Sequence, residues 1–334
     1  MLLTTKIIIP LLGIHLSIAF LTLYERQLLA HIQARIGPKT IGPNGLAQPI
    51  IDGIKLFSKE NIIPSFSTPK LFNIAPTIAY ITSLMWFPLI PTLSPLIIIE
   101  TGLFTIMCLI SIQHYGILSG GWSSNSKYAL LGTIRGIAQI ISYETSLYFL
   151  ILSIILIIGS SNPKDITNIQ ENSIYLILPT APLTLIYITI MLAETNRIPF
   201  DLIEGESELV SGYNIEYAAG LFALFFVAEY SMIFLASSWA SSLFLGGGHP
   251  HLGSTTLSVI IITIKTLAIT SLFILIRSAL PRYRYDQLMK IAWKKFLPTT
   301  LLILQSYLII MTITKTLPPW YFTTLSKHYH DTPY

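Results

Sequence analysis

The residues in this chain best placed to do chemistry are carboxylates set among apolar runs. The stretch Ala193 to Tyr217, AETNRIPFDLIEGESELVSGYNIEY, holds Glu194, Asp201, Glu204, Glu206, Glu208 and Glu216 against a single Arg197. These are more than a third of the 16 acids in the chain. Glu144 and Glu229 lie within neighbouring apolar runs. A charged side chain at a bilayer centre costs about 2.5–3.5 kcal/mol on insertion scales, so each such group needs a partner, water or a proton. A row of carboxyls able to exchange protons is what a proton relay requires. Glu204 and Glu208 would share a helix face at i, i+4, where like charges repel. That spacing favours a water-filled site, a cationic partner or one protonated member. The structural alternative is that each acid pairs with Arg135, Arg197 or a backbone donor and does no more.

Other chemistries find less support. His15, His31 and His114 are isolated, and His249 with His251 forms an HxH in a Gly-rich turn without further ligands nearby in sequence. Carboxylates alone could hold Mg or Ca, but no histidine joins them, so no metal site is expected. The single cysteine, Cys108, excludes an internal disulfide, a four-thiolate cluster and a CxxC motif, and reads as a small core residue. No GxGxxG follows a strand, no phosphate loop is present, and no nucleophile–base arrangement is evident. Two basic groups stand out: Arg26, Arg35 and Lys39, then Arg277, Arg282 and Arg284. Most read as interfacial anchors. Arg26, beside Glu25 at the end of a span, and Arg35, before Gly-Pro turns, could orient the polar head of an amphiphile or a partner's carboxylate. Tyr143, Tyr213, Tyr217, Tyr230, Phe225 and Phe226 could line a cavity, although aromatics in spans more often pack.

The elements that must position these groups are membrane spans. The chain is 52% hydrophobic and 11% charged, with a mean hydropathy of +0.66. A soluble domain carries about 25% charged residues. The long apolar runs also exclude a porin-type barrel, whose strands alternate in short segments. The fold class is therefore all-α and polytopic, one membrane domain over residues 1–334. Spans are expected at about 7–29, 71–90, 96–118, 129–159, 174–193, 218–245, 252–276 and 291–314. The first is read as retained rather than as a cleaved leader, since no small-residue cleavage site follows it. The fourth exceeds the roughly 20 residues a bilayer needs, so it should tilt or project. Leu46 to Glu60 places Leu46, Ile50, Ile54 and Phe57 at helical spacing, with Asp52, Lys55 and Lys59 on other faces. That predicts an amphipathic helix lying in the membrane surface, or packed on a partner. Ser160 to Ser173 reads as a polar loop.

Eight spans place both termini on one side. Fifteen of the 20 Lys and Arg fall in or beside the odd-numbered connectors, which puts those connectors, the acidic one included, on the electrically negative side. The net charge of +4 reflects these flanking cations; no basic stripe with interleaved aromatics suggests nucleic acid. No internal repeat is visible, which weakens an inverted-repeat transporter.

The acidic stretch resembles, almost throughout, the acidic connector of the membrane subunit 1 family of respiratory NADH:ubiquinone oxidoreductase, complex I, in its mitochondrially encoded form. Glu25-Arg26 with QARIGP and GLAQPIIDGIKLFSKE resembles that family's first connector. GWSSNSKYALLGTIRGIAQIISYE resembles the third and LPRYRYDQLMKIAWKKFLP the seventh. The similarity covers nearly the whole chain. Departures are small: Gln27 stands where Lys is common, Gly136 where Ala is common, and a polar tail follows Leu317.

The resemblance implies a core subunit of a proton-pumping NADH:ubiquinone reductase, without a complete active site of its own. It implies ubiquinone as substrate, with flavin, haem and iron–sulfur clusters absent from this chain. Its partners would be peripheral-arm quinone-site subunits, adjacent membrane-arm subunits and the lipid bilayer. It would lie in the mitochondrial inner membrane, odd-numbered connectors in the matrix and termini toward the intermembrane space. Glu25, Arg26, Arg35, Asp52, Lys55 and Phe225 would line the quinone chamber. Glu144, Glu194, Asp201, Glu204, Glu206, Glu208, Glu216 and Glu229 would form the proton relay. Arg135, Arg197, Arg282 and Arg284 would be its charge partners. A proton- or cation-coupled transporter and a purely structural anchor are the competing readings.

Overall fold

The computed structural model describes residues 2–91, 99–172, 174–203, 205, 210–250 and 255–314, with side chains described outside 2–10, 172 and 255. These residues form helices and turns. The helices are α1 (Leu2–Ile32), α2 (Gln48–Ser58), α3 (Pro69–Met85), α4 (Gly102–Ser123), α5 (Lys127–Ile158), α6 (Pro163–Asn172), α7 (Ala181–Glu194), α8 (Ala219–Phe244), α9 (Thr255–Ala279) and α10 (Tyr285–Thr314), the last passing through a π-helical turn at Ala292–Phe296. Among the described residues, α4, α5, α8, α9 and α10 are long and apolar enough to cross a membrane; α7 is apolar but has 14 residues.

Local chemistry sets several boundaries. Ser126 caps α5, its Oγ accepting from the Ala129 amide at 3.3 Å, and Gly159 ends it in the left-handed conformation (φ 80°). These are the residue types that terminate helices most cheaply. The 32 residues of α5 rise about 48 Å at 1.5 Å each, well beyond a hydrocarbon core of about 30 Å.

The main core lies where α5, α7 and α8 meet, with Tyr143, Leu147, Leu150, Leu183, Ile190 and Leu235 fully buried. A second cluster joins Phe72, Ile117 and Ile140 to Ile203, Tyr213, Tyr217 and Phe225. The α3–α4 pair packs closely through small residues: a Cβ on Gly116 would lie 2.8 Å from that of Ala79. Without water to drive association, such close approach supplies the packing energy between spans. The outer faces of α9 and α10 remain apolar and exposed, as at Ile264, Leu302 and Ile313.

Some expectations need correction. Most of the loop expected at 160–173 is helix α6. Asn162 Oδ1 accepts from the Lys164 amide at 3.1 Å, Pro163 sits in the first turn and Asp165 favours the helix start. The helix expected from residue 174 begins at Ala181; the segment before it turns, fastened by the Ile177 amide on the Phe244 carbonyl at 3.1 Å. Cys108 lies exposed on the outer face of α4 rather than in the core.

Candidate functional site

The acidic connector is held from inside by α5 and from outside by the segment before α10. Gln139 on α5 is completely buried, and its amide donates to the Ala193 carbonyl at 2.9 Å and the Phe200 carbonyl at 2.8 Å. One side chain thus fixes both ends of the segment 193–200. Opposite, Arg282 donates to Asp201 at 2.6 Å, and the Tyr283 amide donates to the Pro199 carbonyl at 3.0 Å. The Phe200 and Tyr283 rings stack at 5.8 Å.

This anchoring points Glu194 into the bundle. Its side chain is 1% exposed, and Oε2 lies 3.4 Å from Nε2 of His114 on α4. Among the described residues neither oxygen has a hydrogen-bond donor. Glu194 also lines a cavity of about 30 Å³ with Thr195, Trp86, Tyr187, Met232 and Trp239. Glu144, one turn from Tyr148 on α5, accepts from the Tyr148 and Ser111 hydroxyls, and the two hydroxyls lie 2.8 Å apart. Glu144 and Glu194 are near enough to interact electrostatically. Ser111 and His114, one turn apart on α4, therefore serve the two acids from one helix. Glu229 accepts from the Tyr213 hydroxyl, tying α8 to the turn that precedes it.

A second polar group forms where α1, α9 and the connector meet. Glu25 is buried and ion-paired with Arg277 on α9, and the Arg197 guanidinium lies 3.7 Å away. Arg197 in turn sits over the Tyr230 ring at 4.7 Å. A cavity of about 20 Å³ lies here, lined by Glu25, Arg197, Arg277, Leu21, Ile233 and Thr195. Arg26 is next in sequence to Glu25 but about 100° round the helix, and it faces outward. It pairs with Asp52 of α2 at 2.9 Å, and Gln48 donates to the same carboxylate at 3.0 Å. Asn61, just beyond α2, accepts from the Gly220 amide at 3.1 Å, so α2 and its exit bridge α1 and α8.

A family model described as NADH dehydrogenase matches residues 5–308. The chain is 50% identical over 300 residues to NADH-ubiquinone oxidoreductase chain 1 of Bradypus variegatus, covering 90% of this chain and 93% of that one. It is 49% identical over 309 residues to the protein of that name in Hylobates lar, covering 91% and 95%. With that of Ateles paniscus it shares 48% over 314 residues, covering 94% and 97%. The chain belongs to the NADH-ubiquinone oxidoreductase chain 1 family.

In this family member the expected site residues separate into groups. Arg26 and Asp52 meet, while Lys55 and Arg35 are exposed, the latter donating to Gln33 at 2.8 Å. Phe225 is buried edge-on between the rings of Tyr213 and Tyr217. Burial pushes the Tyr217 hydroxyl up to about 12, against a smaller opposing effect of its contact with Ser123. It therefore stays a donor at ordinary pH, shared between the Phe72 and Gly120 carbonyls at 3.3 Å each. Glu216 and Arg135 are half-buried and Arg284 is exposed. Glu204, Glu206 and Glu208 lie outside the described residues. Among the described residues no three His, Cys, Asp or Glu gather as metal ligands.

In the sequence His114 stands isolated, and neither Ser111, Tyr148 nor Trp239 is among the expected site residues. The i, i+4 spacing of Glu144 and Tyr148, and the i, i+3 spacing of Ser111 and His114, were the available signals. Arg277 lies among the expected interfacial anchors, yet it is the partner of Glu25.

Proposed function

We propose that this chain is a core membrane subunit of a proton-pumping NADH:ubiquinone oxidoreductase. It forms the quinone-access chamber and the first part of the relay that links quinone reduction to proton movement. The observation that carries this reading is Thr195, which lines both cavities. On one side lie Glu25, Arg197 and Arg277, charged groups suited to a quinone head-group. On the other lies Glu194. A change of charge in the first cavity is therefore felt one residue away from an interior carboxyl.

The chamber is assigned to Glu25, Arg26, Arg35, Asp52, Lys55 and Phe225. The relay is assigned to Glu144, Glu194, Asp201, Glu204, Glu206, Glu208, Glu216 and Glu229, with Arg135, Arg197, Arg282 and Arg284 as charge partners. Eight spans lie in the mitochondrial inner membrane, with α2 in its surface, odd-numbered connectors in the matrix and termini on the other side. The chain works with other subunits of the complex, those of the peripheral-arm quinone site and the neighbouring membrane arm. Ubiquinone is its substrate. Flavin, haem and iron–sulfur clusters belong to other chains, consistent with one cysteine here against the four thiolates that a cluster usually takes.

Glu194→Gln tests the coupling. The variant should assemble, as judged by native-gel migration of the complex, while quinone-dependent NADH oxidation and proton pumping fall together. An assembled variant that pumps normally would overturn the relay assignment.

A further inference from the structure

Lys265 stands within the apolar span α9, 12 residues before Arg277, a rise of about 18 Å. It takes no part in the chamber or the relay. A lysine inside a span faces the interior of its bundle and marks a function by default. Its Nζ donates to the carbonyls of Leu245, Gly247 and His249 at 2.7, 3.0 and 2.5 Å, and lies 5.3 Å from the centre of the Tyr175 ring. Three bonds use every donor of an ammonium group, so the side chain is held as a cation. None of these described partners carries a full charge that would neutralise it.

The place it occupies is the end of α8. That helix starts at Ala219, beside the acidic connector, and its 26 residues rise about 39 Å to Phe244 at the other end of the bundle. A helix C-terminus leaves about four carbonyls without intrahelical donors and carries about half a negative charge. Here other elements meet them. Gln170 on α6 donates to Ser242 and Leu243 at 3.2 and 3.0 Å, the Ile177 amide to Phe244 at 3.1 Å, and Lys265 to Leu245. Without the ammonium, the Leu245, Gly247 and His249 carbonyls would converge on one point at the negative pole of the helix. Converging backbone carbonyls are what replaces the hydration shell of a cation in a selective pore. Glu171 of α6, 3.6 Å from the His249 ring, sets a carboxylate at the same rim.

We propose that Lys265 is a tethered cation that closes this end of the bundle to protons and metal cations. Its ammonium fills the position that the three carbonyls would otherwise offer to a mobile ion. Its fixed charge repels the next one, as an Arg excludes cations from a pore. The low dielectric around a span lengthens the reach of that charge. A proton leaving Glu144 or Glu194 toward the far end of α8 then meets a positive charge and does not cross. The bearing on proton coupling rests on the relay reading above; the closed end itself does not.

The test uses the intact complex in sealed vesicles. Passive proton permeability is read without NADH, under an imposed membrane potential, and the proton gradient is then read during turnover. Lys265→Met keeps the apolar stem and removes the charge. It should assemble and oxidise NADH with quinone, yet raise the passive permeability severalfold and lower the gradient. Lys265→Arg keeps the charge and should stay as tight as wild type. Lys265→Gln, neutral but still a donor to carbonyls, carries the test if the Met variant does not assemble. A neutral variant that assembles and stays tight overturns the proposal. So does an Arg variant as leaky as the Met one, since charge would then not be what closes this end. Neutral variants that never assemble make Lys265 a structural tie alone, and overturn it too. A tight Lys265→Met with impaired pumping in Glu194→Gln would overturn the closure and leave the relay standing. A leaky Lys265→Met with normal pumping in Glu194→Gln would do the reverse.

Discussion

Arg197 and Glu25 lie 3.7 Å apart, joining the acidic connector to the end of α1. Arg277 approaches the same carboxylate from α9, so one acid holds three segments together. The residues come from positions far apart in the chain, and the site exists only where α1, α9 and the connector converge. Two guanidinium groups beside the buried carboxylate, one hydrogen-bonded to it and one at 3.7 Å, offset the cost of burying its charge.

Replacing Arg277 by Met should remove a charge-assisted bond and leave Glu25 with Arg197 alone. The expected loss is about 1.5–3 kcal/mol. It should appear as a lower temperature of irreversible inactivation of the assembled complex. An unchanged inactivation profile would show that Arg197 alone satisfies Glu25.

Gln139→Met keeps volume but removes one donor from each of two carbonyls, those of Ala193 and Phe200, which keep the Asn196 and Leu202 amides. Each lost hydrogen bond is worth about 0.5–1.5 kcal/mol. The connector should loosen, seen as faster proteolytic cleavage within 193–217 in assembled complex. Equal cleavage rates for wild type and variant would refute its role as the connector's inner anchor.

Gly136→Ala adds a Cβ that would lie 2.2 Å from Cγ1 of Ile203. Overpacking of this kind costs about 1–3 kcal/mol. The single variant should lose thermal stability, and the double variant Gly136→Ala with Ile203→Ala should recover part of it. Additive losses in the double variant would mean that the two positions do not press on one another.

Arg26 is 47% exposed, so its pair with Asp52 adds under about 1 kcal/mol of stability. Arg26→Ala should therefore leave assembly intact. If it contacts quinone, its loss should raise the apparent KM for quinone, about tenfold for a contact worth 1.4 kcal/mol, with kcat unchanged. An unchanged quinone dependence removes Arg26 from the chamber.

The sequence by itself determined the helical, membrane-embedded class and the placing of charge at connectors. Both are local properties: a run of apolar residues of sufficient length is a span wherever it sits, and carboxylates cannot hide within one cheaply. Ser126 and Gly159 mark the ends of α5 for the same local reason. Helix α6 has the polar composition of a loop, although Asn162-Pro163 followed by Asp165 carries the start signal. Apolar residues run on ahead of α7 through a segment that the fold turns, so composition alone starts that helix too early. Only the tertiary structure decided which charges meet. Nothing in the spacing of Glu25, Arg197 and Arg277, or of His114 and Glu194, relates them, because long-range pairing depends on how whole helices pack. Packing also decided that Glu25 turns inward while Arg26, its neighbour, turns out to Asp52. It placed Thr195 between two cavities, a position that no local property of a threonine could announce.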